Sequence, residues 1–136
     1  MSFVLDASVT LAWCFEDEQT PEVMAVLDRR VEDGAFAPQL WPLEAINGLL
    51  SAERRGRIDE SKRETLSRFL AGLPVTIDNE TASRAWSETA HLAGHEQLTS
   101  YDAAYLELAR RLNLPLATQD KELREAATRR GVTLIV

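Results

Sequence analysis

Four acidic residues stand where carboxylates could share a divalent cation: Asp6, Glu44, Asp102 and Asp120. Asp6 directly follows a short apolar run and Asp120 follows another, so both are expected at the carboxyl ends of buried strands. In α/β folds, ligands bind beyond those strand ends. Adjacent strands lie about 4.8 Å apart, so such carboxylates could reach one ion if their strands are neighbours. A set of oxygen ligands suits Mg²⁺ or Mn²⁺.

Each acid also has a simpler structural explanation. Asp6 and Asp120 could cap the helices that follow them, and the helix macrodipole favours a negative charge such as that of Asp102 in the first turn of a helix. Glu44 differs because its neighbours in the sequence are apolar, and an unpaired carboxylate among them would be costly. Several acids that converge at one end of a sheet would also repel each other unless a divalent cation offset their charge.

The elements that must position these acids alternate between short apolar runs and longer amphipathic ones. The predicted strands are residues 2–5, 35–37, 75–77, 115–118 and 132–136. The predicted helices are a short one from about Ser8, one from Thr20-Pro21 to Asp33-Gly34, and then 42–55, 59–72, 79–93, 100–112 and 120–130, with Gly94 ending the fifth and Ser100 capping the sixth. The strand-then-helix order predicts an α/β layer fold with a mostly parallel sheet flanked by helices.

The spacing of apolar residues predicts which helix faces are buried. The helix over 42–55 should bury Leu43, Ile46, Leu49 and Leu50, and the helix over 100–112 should bury Ala104, Leu108 and Leu112. Four aromatic residues in apolar stretches are interpreted as core or interface anchors: Trp13, Trp41, Phe69 and Trp86. Cys14 lies in such a stretch too, which favours a small core residue over a nucleophile.

Length and composition predict one globular domain over residues 1–136. The chain is 45% apolar and 27% charged, close to an average globular protein. No segment approaches the ~18 to 20 apolar residues that a membrane span needs, and the first residues lack the basic start of a secretory signal. A cytoplasmic location without membrane association is therefore expected, and the single cysteine agrees with a reducing compartment.

The charge is negative overall but unevenly distributed. The formal net charge is −7, which argues against a general nucleic-acid coating protein. Residues 1–33 carry eight acids against Arg29 and Arg30, whereas residues 51–70 carry six bases against four acids. A local basic face and bound cations can outweigh the global sign. The candidates for contacting the phosphates of a polyanion near Glu44 are therefore Arg54, Arg55 and Arg57, although a solvated charged face is the default explanation for them.

Four stretches of the chain together resemble one family. They are Val4-Leu5-Asp6-Ala7-Ser8, Leu40-Trp41-Pro42-Leu43-Glu44-Ala45-Ile46-Asn47, Tyr101-Asp102-Ala103-Ala104-Tyr105-Leu106-Glu107-Leu108-Ala109 and Leu116-Ala117-Thr118-Gln119-Asp120. In order and content they are similar to the signature blocks of PIN-domain ribonuclease toxins of the VapC type, from type II toxin–antitoxin systems. The resemblance implies a Rossmann-like sheet, a Mg²⁺ or Mn²⁺ site, cleavage of RNA phosphodiesters, a homodimer, and a cognate VapB-like antitoxin that blocks the site.

The resemblance also assigns residues to the site. The family's acidic quartet matches Asp6, Glu44, Asp102 and Asp120, its hydroxyls lining the site match Ser8 and Thr118, and a common polar position matches Asn47. The acids would hold the metal, with Glu44 either binding it or orienting the attacking water. Residues 92–98 depart from the simpler approach that family members have before the Tyr-Asp pair, which concerns the local loop and not the acids.

Two other functions fit the residues less well. An aspartate-dependent phosphatase of the dehalogenase type needs a second aspartate two positions after the first, where this chain has Ser8, and a receiver domain needs paired acids where Leu5 precedes Asp6. A PIN-like interaction module without catalysis would not need an intact acidic quartet. A zinc site at His91 and His95 is disfavoured because Gly94 is expected to break the helix between them and no third ligand is evident.

Overall fold

The central element of the protein is a parallel sheet of four short strands. The computed structural model describes residues 1–29 and 31–136. The strands are β1 (Phe3–Leu5), β2 (Ala35–Ala37), β3 (Val75–Ile77) and β4 (Leu116–Ala117), in the order β3-β2-β1-β4. All three pairings are parallel, and Val4 pairs with Phe36 on one side and Leu116 on the other. The strand order reverses between β1 and β4, which is where an α/β sheet opens a ligand crevice.

Eight α-helices among the described residues surround this sheet. They are α1 (Ala7–Ala12), α2 (Pro21–Arg29), α3 (Trp41–Arg54), α4 (Glu60–Ala71), α5 (Thr81–Arg84), α6 (Ala90–Glu96), α7 (Ser100–Leu112) and α8 (Lys121–Arg129). A π-helical segment, Ala85–Thr89, joins α5 to α6, and short 3-10 turns lie at Glu16–Glu18 and Val31–Asp33. None of these helices is long and apolar enough to cross a membrane. The α/β fold predicted from the strand-then-helix order is confirmed.

Two apolar clusters hold these layers together. The larger one surrounds β1 and α7, where Phe3, Leu5 and Tyr105 are fully buried. The smaller one lies between α3 and α4 and contains Leu49 and Leu70. Between α1 and α3 the packing depends on Gly48, because a Cβ at that position would lie 2.4 Å from a methyl group of Leu11. The missing side chain lets α3 approach α1 closely.

Several predicted element boundaries were wrong. The helix that ends at Gly94 in the sequence prediction continues to Glu96 and stops at Gln97, whose φ of 55° reverses the chain. A Cβ added at Gly94 would meet none of the described atoms within 4 Å, so this position faces open space within the helix. The predicted strand over 132–136 is a single bridge, Leu116 to Leu134, because β4 offers only two residues to pair with. The helix predicted from Thr20-Pro21 to Asp33-Gly34 ends at Arg29, and its predicted passage through Arg30 lies outside the described residues.

Some side chains predicted to be buried are exposed. Leu43 is 72% exposed because α3 turns a different face inward, the one formed by Trp41, Ala45, Leu49 and Ala52. Leu112, near the end of α7, is 39% exposed. Trp13 and Trp41 are buried as expected, whereas Trp86 is 92% exposed, so a role in the core of this chain is excluded for it.

Candidate functional site

Asp6 directly follows β1, and Asp120 lies three residues beyond the end of β4, the neighbouring strand. The β1 ladder continues into Asp6, whose backbone N–H donates to the carbonyl of Ala117 at 3.0 Å. Asp6 is buried and is the N-cap of α1, and Asp120 is the N-cap of α8, where Leu123 N–H donates to Asp120 Oδ1 at 2.8 Å. The capping roles considered from the sequence are therefore real. Capping does not explain why Asp6 is buried, because one oxygen of a carboxylate at the surface is enough to cap a helix.

Two hydroxyl groups hold the Asp6 carboxylate. Ser8 Oγ and Thr118 Oγ1 donate to the same oxygen, Asp6 Oδ2, at 2.5 and 2.8 Å. Ser8 Oγ in turn accepts from the Gln119 N–H at 2.9 Å, and Thr118 Oγ1 accepts from the Asp120 N–H at 3.1 Å. The loop after β4 is thus tied to Asp6 through both hydroxyls. This arrangement fixes the carboxylate and leaves its other oxygen, Oδ1, without a hydrogen bond from the described side chains.

Glu44 enters the site from the first turn of α3 and has the partner that its apolar neighbours require. Tyr105 Oη donates to Glu44 Oε1 at 2.6 Å. The start of α3 is anchored by Trp41, whose Nε1 donates to Thr10 Oγ1 at 2.9 Å, and that hydroxyl donates to the Asp6 carbonyl at 3.2 Å. Tyr105 and Thr10 were not identified from the sequence, because both lie in runs that predict only burial.

Asp102 lies in the first turn of α7, one turn before Tyr105 on the same helix. The N-cap of α7 is Thr99, whose hydroxyl accepts from the Asp102 N–H at 3.1 Å, and not Ser100 as the sequence predicted. All four acids therefore occupy an N-cap or a first turn, at the starts of α1, α3, α7 and α8. Four helix N-termini therefore lie near the carboxyl ends of the strands.

The electrostatics link the four acids. Burial, and then the charges of Asp120, Asp6 and Glu44, raise the pKa of Asp102 to about 6. Burial also raises the pKa of Asp6, although hydrogen bonds from two hydroxyls oppose it, and it raises the pKa of Glu44, with a smaller contribution from Asp6. The pKa of the Tyr105 phenol is raised by burial and by the nearby charges of Asp6 and Glu44. The acids thus lie near enough to repel each other.

Electrostatic coupling is not the same as a finished metal site. Among residues 1–29 and 31–136, no three acidic, histidine or cysteine side chains already form a set that could hold one ion. The mutual effects on pKa and the lack of a preformed set of ligands agree if the carboxylates repel each other and stand apart. Hydroxyl and backbone donors then occupy one oxygen of a carboxylate. At least Asp6, Glu44 and Asp120 have one such engaged oxygen. The donor set contains only oxygen, which fits Mg²⁺ or Mn²⁺ chemically.

The remaining candidates lie further out. Asn47 is exposed one turn after Glu44, in a surface groove of about 600 Å³ with apolar walls that include Leu43 and Tyr101. Arg54 and Arg55 are exposed at the end of α3. Arg57 is engaged elsewhere, because its guanidinium donates to Asp17 and Glu18 and lies 4.3 Å from the centre of the Phe15 ring. Arg57 is therefore a weaker candidate for a phosphate contact than the other two arginines.

His91 and His95 both lie on α6, since the expected break at Gly94 is absent. Their ring centroids are 4.1 Å apart. Within the part of the chain that the structure describes, no third ligand completes a site around them. A zinc site at His91 and His95 therefore still lacks a ligand, although the argument against it from a helix break at Gly94 was wrong.

The coupling of Asp102 to its neighbours has a measurable consequence for stability. A group whose folded-state pKa of about 6 exceeds the unfolded value of 3.8 keeps its proton longer in the folded chain. The contribution of this group to the free energy of unfolding is fully present below pH 3.8 and is lost as the pH rises to about 6. We expect Asp102→Asn to match the wild type near pH 4 in metal-free buffer and to exceed its stability increasingly up to pH 6.

Urea denaturation at several pH values would measure this difference. The comparison with the variant is needed because other acids titrate in the opposite sense, such as Glu96, whose pKa is lowered by hydrogen bonds from Arg130 and Arg129. A difference in unfolding free energy that stayed constant between pH 4 and pH 6 would contradict the coupling of Asp102.

Solved structures with a similar fold were found by comparison. The crystal structure of PAE2754 from Pyrobaculum aerophilum has a TM-score of 0.68 and 25% identity, over 93% of this chain and 84% of that chain. FitAcB from Neisseria gonorrhoeae has a TM-score of 0.65 and 20% identity, over 98% and 96%. The structure of FitAB bound to IR36 DNA fragment has a TM-score of 0.67 and 17% identity, over 98% and 93%.

At these identities the two Fit structures bear on the fold alone. A comparison with curated protein sequences gave no match. The family model described as the PIN domain matches residues 3–129, which include all four acids and the whole sheet. This chain belongs to the PIN-domain family.

Proposed function

We propose that this protein is a Mg²⁺- or Mn²⁺-dependent endoribonuclease, and that it is the toxin of a type II toxin–antitoxin pair of the VapC type. The observation that carries the proposal is the placement of Asp6, Glu44, Asp102 and Asp120 at four helix starts, near enough that burial and then the charges of the other three raise the pKa of Asp102 to about 6. Membership of the PIN-domain family supports it, since PIN domains are generally nucleases that use divalent metal ions.

The acids would hold the cation, and their neighbours prepare them for it. Asp6, Asp102 and Asp120 are the proposed ligands, with Glu44 either a fourth ligand or the group that orients the attacking water. When bound, a divalent cation supplies a lowered pKa for that water and positive charge for the phosphate oxygens. Ser8 and Thr118 hold Asp6 through one oxygen, so the other is available. No side chain needs to form a covalent bond in this reaction.

The substrate is proposed to reach the acids along the exposed side of α3. The chain carries a net charge of −7, so the approach of a polyanion depends on local cations. Arg54 and Arg55 are the proposed phosphate contacts, and Asn47 lies between them and Glu44 along the helix. Arg57 contributes only if it leaves Asp17 and Glu18.

The proposed partners follow from the resemblance to VapC-type toxins. A VapB-like antitoxin would block the site, and an acidic cluster without its cation is best satisfied by an arginine or lysine of that partner. We also propose that the toxin is a homodimer and that residues 1–136 act as one domain. Leu43 and Trp86, exposed by 72% and 92%, are apolar groups that an assembly could cover.

The proposal is tested with purified protein and two substrates. We expect a labelled single-stranded RNA to be cut internally with Mn²⁺ or Mg²⁺ and to stay intact with EDTA, while p-nitrophenyl phosphate is not hydrolysed. Asp120→Asn, purified in the same way, controls for contaminating nucleases and should be inactive. Phosphate release without RNA cleavage would favour the aspartate-dependent phosphatase. Inactivity on both substrates would favour a non-catalytic interaction module.

A further inference from the structure

Tyr105 is the largest fully buried side chain among the described residues, and its hydroxyl contacts the acidic cluster through Glu44. The hydroxyl donates to Glu44 Oε1 at 2.6 Å and joins α7 to the first turn of α3. A buried tyrosine needs some partner for its hydroxyl. Here that partner is one of the four acids, so the bond restricts what this acid can do.

The position of Tyr105 on α7 makes this restriction part of the site. Tyr105 follows Asp102 by three residues, so both side chains lie on the same face of the helix. One helical turn therefore presents a carboxylate to the cluster and also holds the carboxylate that enters from α3. Glu44 is thereby tied to the turn of α7 that carries Asp102, and the start of α3 is also anchored by the bond from Trp41 to Thr10.

The hydrogen bond occupies one of the two oxygens of Glu44. Oε1 is engaged by a short bond, which leaves Oε2 for a cation or its water. The number of oxygens that a carboxylate can give distinguishes the common divalent cations. Ca²⁺ takes six to eight oxygens, often with a bidentate glutamate, whereas Mg²⁺ requires near-octahedral coordination by six ligands at shorter distances.

We propose that Tyr105 is a positioning residue that restricts Glu44 to one coordinating oxygen and so makes the site select Mg²⁺ or Mn²⁺ over Ca²⁺. The inference rests on the proposed metal site, with Glu44 as one of its ligands, and adds the source of its selectivity. Without the hydroxyl, Glu44 could turn and present both oxygens. Ca²⁺ would gain a ligand from this change, and Mg²⁺ would lose an ordered one.

The test compares the affinities for Mg²⁺ and Ca²⁺ of the wild type and Tyr105→Phe, measured by calorimetric titration of the metal-free proteins. We expect the ratio of the Ca²⁺ Kd to the Mg²⁺ Kd to fall by about tenfold in the variant, the lower end of what changes around metal ligands cost. A loss of folding stability alone would weaken the binding of both ions by the same factor. An unchanged ratio would overturn the proposal. Tyr101→Phe is the matched control, because Tyr101 is 62% exposed, and its ratio should equal that of the wild type.

Glu44→Gln keeps the inference testable if Tyr105→Phe does not fold. The amide oxygen of Gln can still accept the hydrogen bond from Tyr105, but its second terminal group is a neutral NH2 that cannot bind a cation. If Glu44 gives one oxygen to either ion, this variant should lower the affinities for Mg²⁺ and Ca²⁺ by the same factor. A larger loss of affinity for Ca²⁺ would contradict the proposal. Failure of the wild type to bind Mg²⁺ or Mn²⁺ at all is a different result and would contradict the proposed function itself.

Discussion

Asp102→Asn and Asp6→Asn are each expected to reduce divalent-dependent RNA cleavage by more than about a hundredfold, the upper end of the cost of changing groups around a metal ligand. Asn keeps the shape of the side chain and removes the negative charge. For Asp102 the charges of three other acids already act on the same position, so a cation there would lose one of several ligands. Initial rates with saturating Mn²⁺, under single-turnover conditions, measure the effect.

A matched control separates the loss of a metal ligand from the loss of a negative charge at a helix start. Asp59 is the exposed N-cap of α4 and accepts from the Lys62 N–H at 2.8 Å, as Asp120 does at the start of α8. Asp59→Asn makes the same chemical change outside the acidic cluster and should retain full activity. Cleavage by Asp6→Asn or Asp102→Asn at a rate comparable to that of Asp59→Asn would contradict the assignment of these acids to the metal.

The second large effect is expected in thermal melts. An ion that binds only the folded state stabilises it by about 2.7 kcal/mol at a hundredfold excess over Kd, which is roughly 10 °C in Tm for a chain of this size. Asp102→Asn should melt higher than the wild type in EDTA near pH 7.5, because a repelling charge is removed. After allowance for its half-exposed position, we expect about 1 kcal/mol. The shift caused by Mg²⁺ should be smaller in the variant.

The helix-dipole explanation predicts the opposite sign in the same experiment. If Asp102 only complements the positive N-terminal end of α7, its neutralisation should cost a few tenths to about 1 kcal/mol. Four melts distinguish the two: wild type and Asp102→Asn, each with EDTA and with excess Mg²⁺. A variant that melts lower than the wild type in EDTA and keeps the full Mg²⁺ shift would exclude Asp102 from a shared cation site.

The sequence predicted where each acid lies along its own element. Asp6 and Asp120 follow short apolar runs, and the first turn of a helix around Glu44 could be recognised from proline and apolar spacing. That β1 and β4 are neighbours could not be derived, because strand order depends on pairing across more than a hundred residues. The same holds for Tyr105, which lies 61 residues from Glu44. The apolar neighbours of Glu44 in the sequence showed that it needs a partner, but they could not show that the partner is Tyr105.

The wrong predictions also have physical causes. Gly94 was expected to end a helix because glycine is costly there, yet this position is exposed and packing elsewhere carries α6 one turn further. Leu43 was assigned to the core from its periodicity. The true face of α3 is rotated because Gly48 brings the helix against α1, which determines the residues that turn inward.

The four helix N-termini at the acidic cluster affect the stability of the protein without a bound metal ion. Each N-terminus contributes unpaired N–H groups and a partial positive charge of roughly half an elementary charge. Together they compensate part of the repulsion between the acids at the starts of α1, α3, α7 and α8. The folded chain can therefore tolerate these acids without a cation. If the proposed ion binds, its loading is an exchangeable last step, and not a condition for folding as it is in zinc fingers.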